Sequence, residues 1–224
     1  MYKLVLKRFL DIVLSLVGMI MLMLPMLIIA VAIKIDDPGP VLFKQKRVGR
    51  KKNGQITYFM IWKFRSMKMS TPHDTPTHLL ASPEQYITRV GAFIRKTSLD
   101  ELPQIFQVFT SRLSAIGPRP ALWSQEDLIA EREKYGANDV KPGITGWAQI
   151  NGRDELKISE KARLDGQYAA ALNAGSLRGL AMDVRCFFGT IKSVLRAEGV
   201  VEGGTGEREK TACGLEKRDG AAVK

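Results

Sequence analysis

The stretch TSLDELPQ, residues 97–104, sets two carboxylates side by side, Asp100 and Glu101. Adjacent acids have two uses at the start of a helix. They can favour the terminus electrostatically, with Ser98 as N-cap and Glu101 three residues later completing a capping box. They can also be the working end of an enzyme, and eight residues leave both readings open. Three other stretches carry groups fit for chemistry. KFRSM holds Lys63 and Arg65, which share a side if the strand persists that far; a solvated strand face is the alternative. SAIGPRPAL holds Arg119 between two prolines. VKPGITGWAQINGRDE interleaves Gly143, Gly146 and Gly152 with Thr145, Gln149 and Asn151. Glycines permit close backbone approach, and the polar side chains offer the hydrogen bonds a nucleotide or sugar phosphate needs. Neither a GxxxxGK[ST] loop nor a GxGxxG fingerprint occurs.

The elements that must position these groups read as follows. VLFKQ and QITYFMIW are β-prone runs separated by the basic loop RVGRKKNG, whose Asn53-Gly54 is a hairpin-type turn signal. A helix is expected from Ser82 through PEQYITRVGAFIRK, with Ile87, Val90, Phe93 and Ile94 on one stripe. A second follows the acids through LPQIFQVFTSRL, with Pro103 in its first turn. SLRGLAMDVRCFFGTIKSVLRAEG is amphipathic: Leu177, Leu180, Val184, Phe187, Phe188, Ile191, Val194 and Leu195 form an apolar face, away from Arg178, Arg185, Lys192 and Arg196. It suits either a membrane interface or a core. The tail from Glu202 is polar and glycine-rich, as disordered segments are. His73 and His78, in STPHDTPTH, read as solvated loop residues.

The N-terminus has a different character. From Ile12 to Ile33 there are 22 residues without a charge, about 33 Å of helix and enough to cross a bilayer core of about 30 Å. Two features argue against a simple span. Up to Lys52 the chain carries ten Lys/Arg against three Asp. Lys7 and Arg8 precede the run and a basic stretch follows it, so the positive-inside tendency draws both ends to one side. Pro25 removes a hydrogen bond near the middle. Halves of about 21 Å and 15 Å are each too short to cross, so a re-entrant helix-break-helix is expected.

The 224 residues carry 34 Lys+Arg against 23 Asp+Glu, a net charge of +11. That charge calls for nucleic acid, anionic lipid or a phosphate-rich substrate. No nucleic-acid motif is present and the basic residues cluster beside the apolar run, which disfavours nucleic acid. Cys186 and Cys213 have no metal-ligand spacing, consistent with a reducing compartment.

Taken together, KFRSM, RKTSLDELPQ, IGPRP and PGITGWAQINGR, in that order, make the chain resemble the bacterial sugar transferases, the monotopic phosphoglycosyl transferases, in their minimal catalytic form. The likeness runs from KRFLDIVLSLV to AEGV. The family's membrane helix commonly breaks at Ser-Pro, where this chain has Leu24-Pro25. The resemblance implies transfer of a sugar 1-phosphate from a UDP-sugar to polyprenyl phosphate at the cytoplasmic face of the bacterial inner membrane. It implies Asp100 as nucleophile, forming a phosphosugar-aspartyl intermediate, and Glu101 as the Mg²⁺ ligand. Arg95 and Arg119 would clamp phosphates, Lys63 and Arg65 would add to the basic pocket, and Thr145, Trp147 and Gln149 would shape the nucleotide or sugar site. An N-acetylated amino sugar is the expected cargo, with a hexose phosphate for exopolysaccharide as the alternative. A non-enzymatic membrane-surface scaffold is the rival from another class. The expected fold is α+β, mostly helical and membrane-associated, with the re-entrant helix in residues 1–36, a catalytic domain with a small β-hairpin and amphipathic interfacial helices in 37–200, and a disordered tail in 201–224. Nothing in the sequence fixes an oligomeric state.

Overall fold

In the computed structural model of the chain, which describes residues 2–71, 83–152 and 156–196, the apolar run forms one helix, α1, Lys7–Asp36, with Pro25 inside it. The expected break into two helices is not there. Burial along α1 recurs at Lys7, Asp11, Ser15, Met26, Ile29 and Ile33, with Leu22 packed between them. That spacing of three and four keeps one stripe in phase on both sides of Pro25. A proline deletes one backbone bond, and a stripe packed along its whole length holds the turns on either side in register. At Gly18 a Cβ would lie 2.3 Å from Ile105 Cδ1, so glycine is what lets α1 cross α3 (Gln104–Phe109) closely.

Both ends of α1 rest on the same body of protein. Near its start, Asp11 accepts from Ser114 Oγ and from the Ala115 N–H at 2.9 Å. Toward its end, Met26, Ile29 and Ile33 share a core cluster with Phe64 and Ile94. Beyond that, Asp36 accepts from the Val90 N–H at 2.8 Å. The opposite face, which includes Ile20, Met21, Met23, Leu24, Leu27 and Ile28, is exposed and apolar until Lys34 in the last turn.

Strands β1 (Leu42–Val48) and β2 (Tyr58–Phe64) pair antiparallel from Leu42↔Phe64 to Val48↔Tyr58. Their loop tightens at Asn53 (φ 49°) and Gly54 (φ 78°), two consecutive left-handed residues bridged by Lys52 and Gln55. This is the turn that the Asn-Gly pair specifies. A second sheet was not anticipated: β3 (Ser114–Ile116) runs parallel to β4 (Gly143–Thr145). It joins the GPRP loop to the PGITGW loop, with the Gly117 N–H donating to the Thr145 carbonyl at 2.7 Å.

The helices differ from expectation in instructive ways. α2 spans Arg89–Lys96 and starts late, because Thr88 accepts from the Gly91 N–H and so caps it; the preceding PEQY is a 3₁₀ turn. Ile94 is fully buried, whereas Phe93 faces outward. In α3 the polarity is inverted: Gln104, Gln107 and Val108 are buried while Phe106 and Phe109 are exposed. The reason is Gln107, which donates to the Met60 carbonyl at 2.6 Å and accepts from the Trp62 N–H at 2.9 Å. It satisfies both side-chain ends on β2.

After α4 (Glu126–Glu133) and α5 (Trp147–Ile150), the long helices α6 (Ile158–Asn173) and α7 (Ser176–Arg196) close the chain. α7 packs one side into the core and leaves apolar side chains exposed on another. Asp183 and Cys186 turn inward, while Leu177, Val184, Phe187, Phe188 and Ile191 are exposed. Burial pushes the Cys186 thiol up to about 12, so it stays protonated. The side chains of Val194, Leu195 and Arg196, both histidines and the tail lie outside the described residues.

Candidate active site

The two acids do not cap a helix in the expected way. Ser98 is left-handed (φ 56°, ψ 18°) and makes no side-chain cap. It follows the C-cap of α2, Thr97, in the left-handed position where many helices stop. Its N–H donates to the Arg95 carbonyl, which leaves Glu101 free to turn elsewhere. Leu99–Glu101 form a 3₁₀ turn, and Pro103 then leads into α3.

That turn brings the carboxylates onto two cations from distant parts of the chain. Lys63, on β2, donates to Glu101 Oε1 at 2.8 Å and stands 3.4 Å from Asp100 Oδ2. Arg119, in the GPRP loop, reaches Glu101 with both guanidinium nitrogens: Nη1 to Oε2 at 3.0 Å, and Nη2 to Oε1. This is the two-pronged geometry for which the guanidinium fork is suited. Gln107 fixes the strand that carries Lys63. The GPRP loop is fixed from behind, where Arg132 donates to the Arg119 carbonyl at 2.9 Å and to the fully buried Asp165 at 2.6 Å.

Neighbouring carboxylates thus acquire opposite character. Burial, reinforced by the negative Glu101 beside it, pushes Asp100 above the usual aspartate range, and Lys63 and Arg119 only partly oppose this. Glu101 is also buried, but Arg119 and then Lys63 outweigh that cost and hold it well below the usual glutamate range. Two acids whose environments drive their ionisation apart are suited to different jobs. Glu101 is a permanent anion. Asp100 is a carboxylate whose charge is poorly stabilised, which suits a nucleophile better than a salt-bridge partner.

The remaining sequence candidates fall into two groups. Arg95 is half-buried on the last turn of α2, five residues before Asp100. Arg65 does not share the Lys63 pocket: β2 ends at Phe64, and Arg65 pairs instead with Asp37 at 2.9 Å just past α1. Thr145 bonds Thr190 on α7 at 2.8 Å, and Trp147 donates to Gln167 on α6 at 2.9 Å. Gln149 is half-buried, and its amide lacks a hydrogen-bond partner among the described residues. The glycines between them serve protein rather than ligand. A Cβ on Gly143 would sit 2.2 Å from Gly117 N, and one on Gly146 would sit 2.2 Å from Gly117 O.

Lys7 and Arg8, expected to flank a membrane segment, use their charges inside the protein. Lys7 is buried against Asp183 at 2.7 Å. Arg8 donates to the Val108 and Phe109 carbonyls at 2.7 and 2.6 Å, at the C-terminal end of α3 where such acceptors lack helical partners. Pro25 is exposed. The sequence reading missed Arg132 and Asp165. The one signal for them was an acid in the otherwise apolar-rich run ARLDGQYAAAL.

Among the described residues no three His, Cys, Asp or Glu side chains cluster as a metal site. Two adjacent carboxylates nevertheless fit a Mg²⁺ that arrives with a substrate, since this ion usually takes one or two carboxylates and completes its shell with phosphate and water.

Comparison with known proteins identifies the family. The family model described as bacterial sugar transferase matches residues 2–197. The UDP-glucose:undecaprenyl-phosphate glucose-1-phosphate transferase of Escherichia coli K12 is 41% identical over 165 residues, covering 70% of this chain and 33% of that protein. The undecaprenyl-phosphate galactose phosphotransferase of Salmonella typhimurium is 34% identical over 209 residues, 87% of this chain and 41% of that protein. The chain therefore spans well under half the length of these relatives. An exopolysaccharide production protein PSS of Rhizobium leguminosarum bv. phaseoli is 36% identical over 200 residues, 86% of this chain and 96% of that protein. The chain belongs to the bacterial sugar transferase family.

Proposed function

We propose that the chain transfers a sugar 1-phosphate from a UDP-sugar to a polyprenyl phosphate, with Asp100 as the covalent nucleophile. The observation that carries this reading is the split pair, an ionised Glu101 held by Arg119 and Lys63 beside an Asp100 whose charge is poorly stabilised.

An Asp100 oxygen attacks the sugar-bearing phosphorus of the diphosphate. The P–O bond to the bridging oxygen breaks, and UMP leaves with that oxygen and its electron pair. The sugar phosphate is then an acyl phosphate on Asp100. An oxygen of the polyprenyl phosphate attacks the same phosphorus, the P–O bond to Asp100 breaks, and Asp100 leaves as a carboxylate while the sugar phosphate stays on the lipid as a polyprenyl diphosphate sugar. Before substrate binds, Lys63 and Arg119 face two carboxylates, so the charge is already balanced. An incoming diphosphate therefore needs further positive charge. Mg²⁺ held by Glu101 would supply part of it, neutralising phosphate oxygens during displacement. Arg95 would supply another part as a phosphate clamp. Gln149, Thr145 and Trp147 belong to the loop assigned to the nucleotide or sugar.

For the cargo we propose a hexose. The relatives described above are named for glucose and galactose, and the N-acetylated amino sugar suggested by the sequence remains a competitor to be tested beside them. For location we propose that α1 lies along one leaflet of the bacterial inner membrane without crossing it, with the acids on the cytoplasmic side. What supports it is that both ends of α1 pack on one body of protein while its outer face is apolar. A helix whose two ends meet the same domain does not cross.

The test is intact-protein mass after incubation with Mg²⁺ and UDP-glucose, UDP-galactose or UDP-N-acetylglucosamine, without lipid acceptor. An added mass of one hexose phosphate, absent in Asp100→Asn, is the expected result. Folded protein that gains no mass and releases no UMP with any donor would leave the membrane-surface scaffold as the better reading.

A further inference from the structure

Gln107 accounts for only half of the inverted polarity of α3. Gln104 is buried just as deeply, each being 1% exposed, yet the two amides are treated differently. Gln107 has both ends bonded to β2. The Gln104 amide nitrogen, Nε2, is shut away from solvent with no hydrogen-bond partner among the described residues. A buried donor without an acceptor costs the fold its desolvation. Such a group is kept either by packing alone or because an acceptor arrives later. Where Gln104 stands favours the second. The 3₁₀ turn Leu99–Glu101 continues through Leu102 (φ −52°, ψ −37°) and Pro103 (φ −60°, ψ −17°) into α3, with helical backbone throughout. Asp100, Gln104, Gln107 and Val108 share the buried side of that run. Side chains on a helix lean back over the preceding turn, and residues four apart are neighbours. The turn before Gln104 carries Asp100.

We propose that Gln104 is a positioning residue for the acyl phosphate, its amide N–H reserved for the Asp100 oxygen that is not bonded to phosphorus. The inference rests on the transfer reaction proposed above. Before the donor binds, Lys63 stands 3.4 Å from Asp100 Oδ2. Attack on phosphorus converts the carboxylate into an acyl group, with one oxygen in the new P–O bond and the other a carbonyl. That carbonyl carries no formal charge and attracts Lys63 less, while phosphate oxygens compete for the same ammonium. A neutral amide one turn away is then the suitable partner. When the polyprenyl phosphate attacks, the P–O bond to Asp100 breaks and its electron pair stays with Asp100. Negative charge spreads over both carboxylate oxygens. A donor already bonded to the carbonyl oxygen stabilises that charge as it develops. No proton changes hands, because the amide only donates. Since the resting fold gives Nε2 no acceptor, the gain is confined to the loaded enzyme and favours discharge onto the lipid over loading.

The test separates the two half-reactions in the full chain in detergent. Gln104→Met and Gln104→Leu remove the amide and leave an apolar side chain of similar size. Because no resting bond is lost, the denaturation midpoint should be unchanged or higher. The rate of loading, read by intact-protein mass with whichever UDP-sugar loads the parent and no acceptor, should stay within twofold. Loaded protein freed of nucleotide by rapid desalting is then mixed with undecaprenyl phosphate, and loss of the added mass is timed. Discharge should slow at least fivefold. A midpoint lowered in both variants gives the amide a structural bond in the resting fold and overturns the inference. Discharge slowed less than fivefold overturns it, and so does loading slowed more than twofold. A parent protein that never loads removes the transfer reaction and this inference with it. A parent that loads, beside folded variants that discharge normally, removes only the role of Gln104.

Discussion

Two buried acid–cation clusters meet on Arg119, one on its guanidinium and one on its backbone carbonyl. On the guanidinium side are Glu101, Asp100 and Lys63. On the carbonyl side are Arg132 and Asp165, with side chains 5% and 0% exposed. The second cluster is closed, with one cation against one acid and no route for a ligand. The first is open: Lys63 and Arg119 keep 19% and 28% of their side chains exposed. Burial pushes both Asp100 and Asp165 above the usual aspartate range, so a perturbed aspartate does not by itself mark the chemistry. What separates them is reach. Asp100 can be approached and Asp165 cannot.

The largest expected effect follows from that difference. Asp100→Asn removes the nucleophile and should lower formation of the sugar-phosphate adduct by roughly 10⁴-fold or more, with the thermal midpoint unchanged or raised because a poorly stabilised buried carboxylate is gone. Asp165→Asn should do the reverse. Stranding Arg132 in the interior should cost about 3–5 kcal/mol of stability, read by chemical denaturation. Its effect on adduct formation should track the loss of folded protein. If Asp165→Asn instead left stability intact and abolished the adduct, the division between an open working cluster and a closed supporting one would be mistaken.

The same division explains what could be read from sequence. Asp100 and Glu101 are adjacent, so their pairing needed no folding to be seen, and the Asn53-Gly54 turn fixed the β1–β2 hairpin through local backbone geometry alone. The Arg132–Asp165 pair joins residues 33 apart, and its one local signal, an acid in an apolar-rich run, does not say which cation the acid meets. Gln107 shows the same limit. A glutamine on a helix reads as solvent-facing, yet here it is buried because two backbone groups of β2 need partners. Ser98 and Glu101 have the spacing of a capping box, but the end of α2 takes Ser98 into a left-handed conformation and Arg119 takes Glu101. Pro25 was read for the bond it removes, while the packed stripe that carries α1 through it is a tertiary property.

Lys63 gives a smaller, sharper effect. It is the cation nearest Asp100 and favours its ionised form, and the attack requires that form. Adduct formation should therefore rise with pH along a limb set by Asp100 and lie above the range of an ordinary aspartate. Lys63→Met removes the stabilising charge, so the limb should move to still higher pH, and the rate at neutral pH should fall on the order of 10²-fold. Rapid-quench measurement of UMP release across pH, without acceptor, reads both. A lower rate with an unmoved limb would assign Lys63 to donor binding alone.

Arg65 lies two residues further along the chain and supplies the contrast with the smallest effect. A strand continued past Phe64 would place it beside Lys63, yet Arg65 turns to Asp37, pairing with its carboxylate at 2.9 Å and donating a hydrogen bond to its carbonyl. Asp37 also accepts from the Met69 N–H at 3.0 Å, so the arginine helps tie the exit of α1 to the segment after β2. Arg65→Gln should therefore cost about 1.5–3 kcal/mol, the scale of hydrogen bonds to charged groups. It should change adduct formation less than twofold and leave the pH limb in place. The three readouts come from one protein preparation, and their combination is what matters. A shifted limb would mean that Arg65 faces Asp100 when the donor is present. Lost stability with an unmoved limb would mean that the basic pocket ends at Lys63, and that the next cation serves the exit of α1 instead of the phosphate.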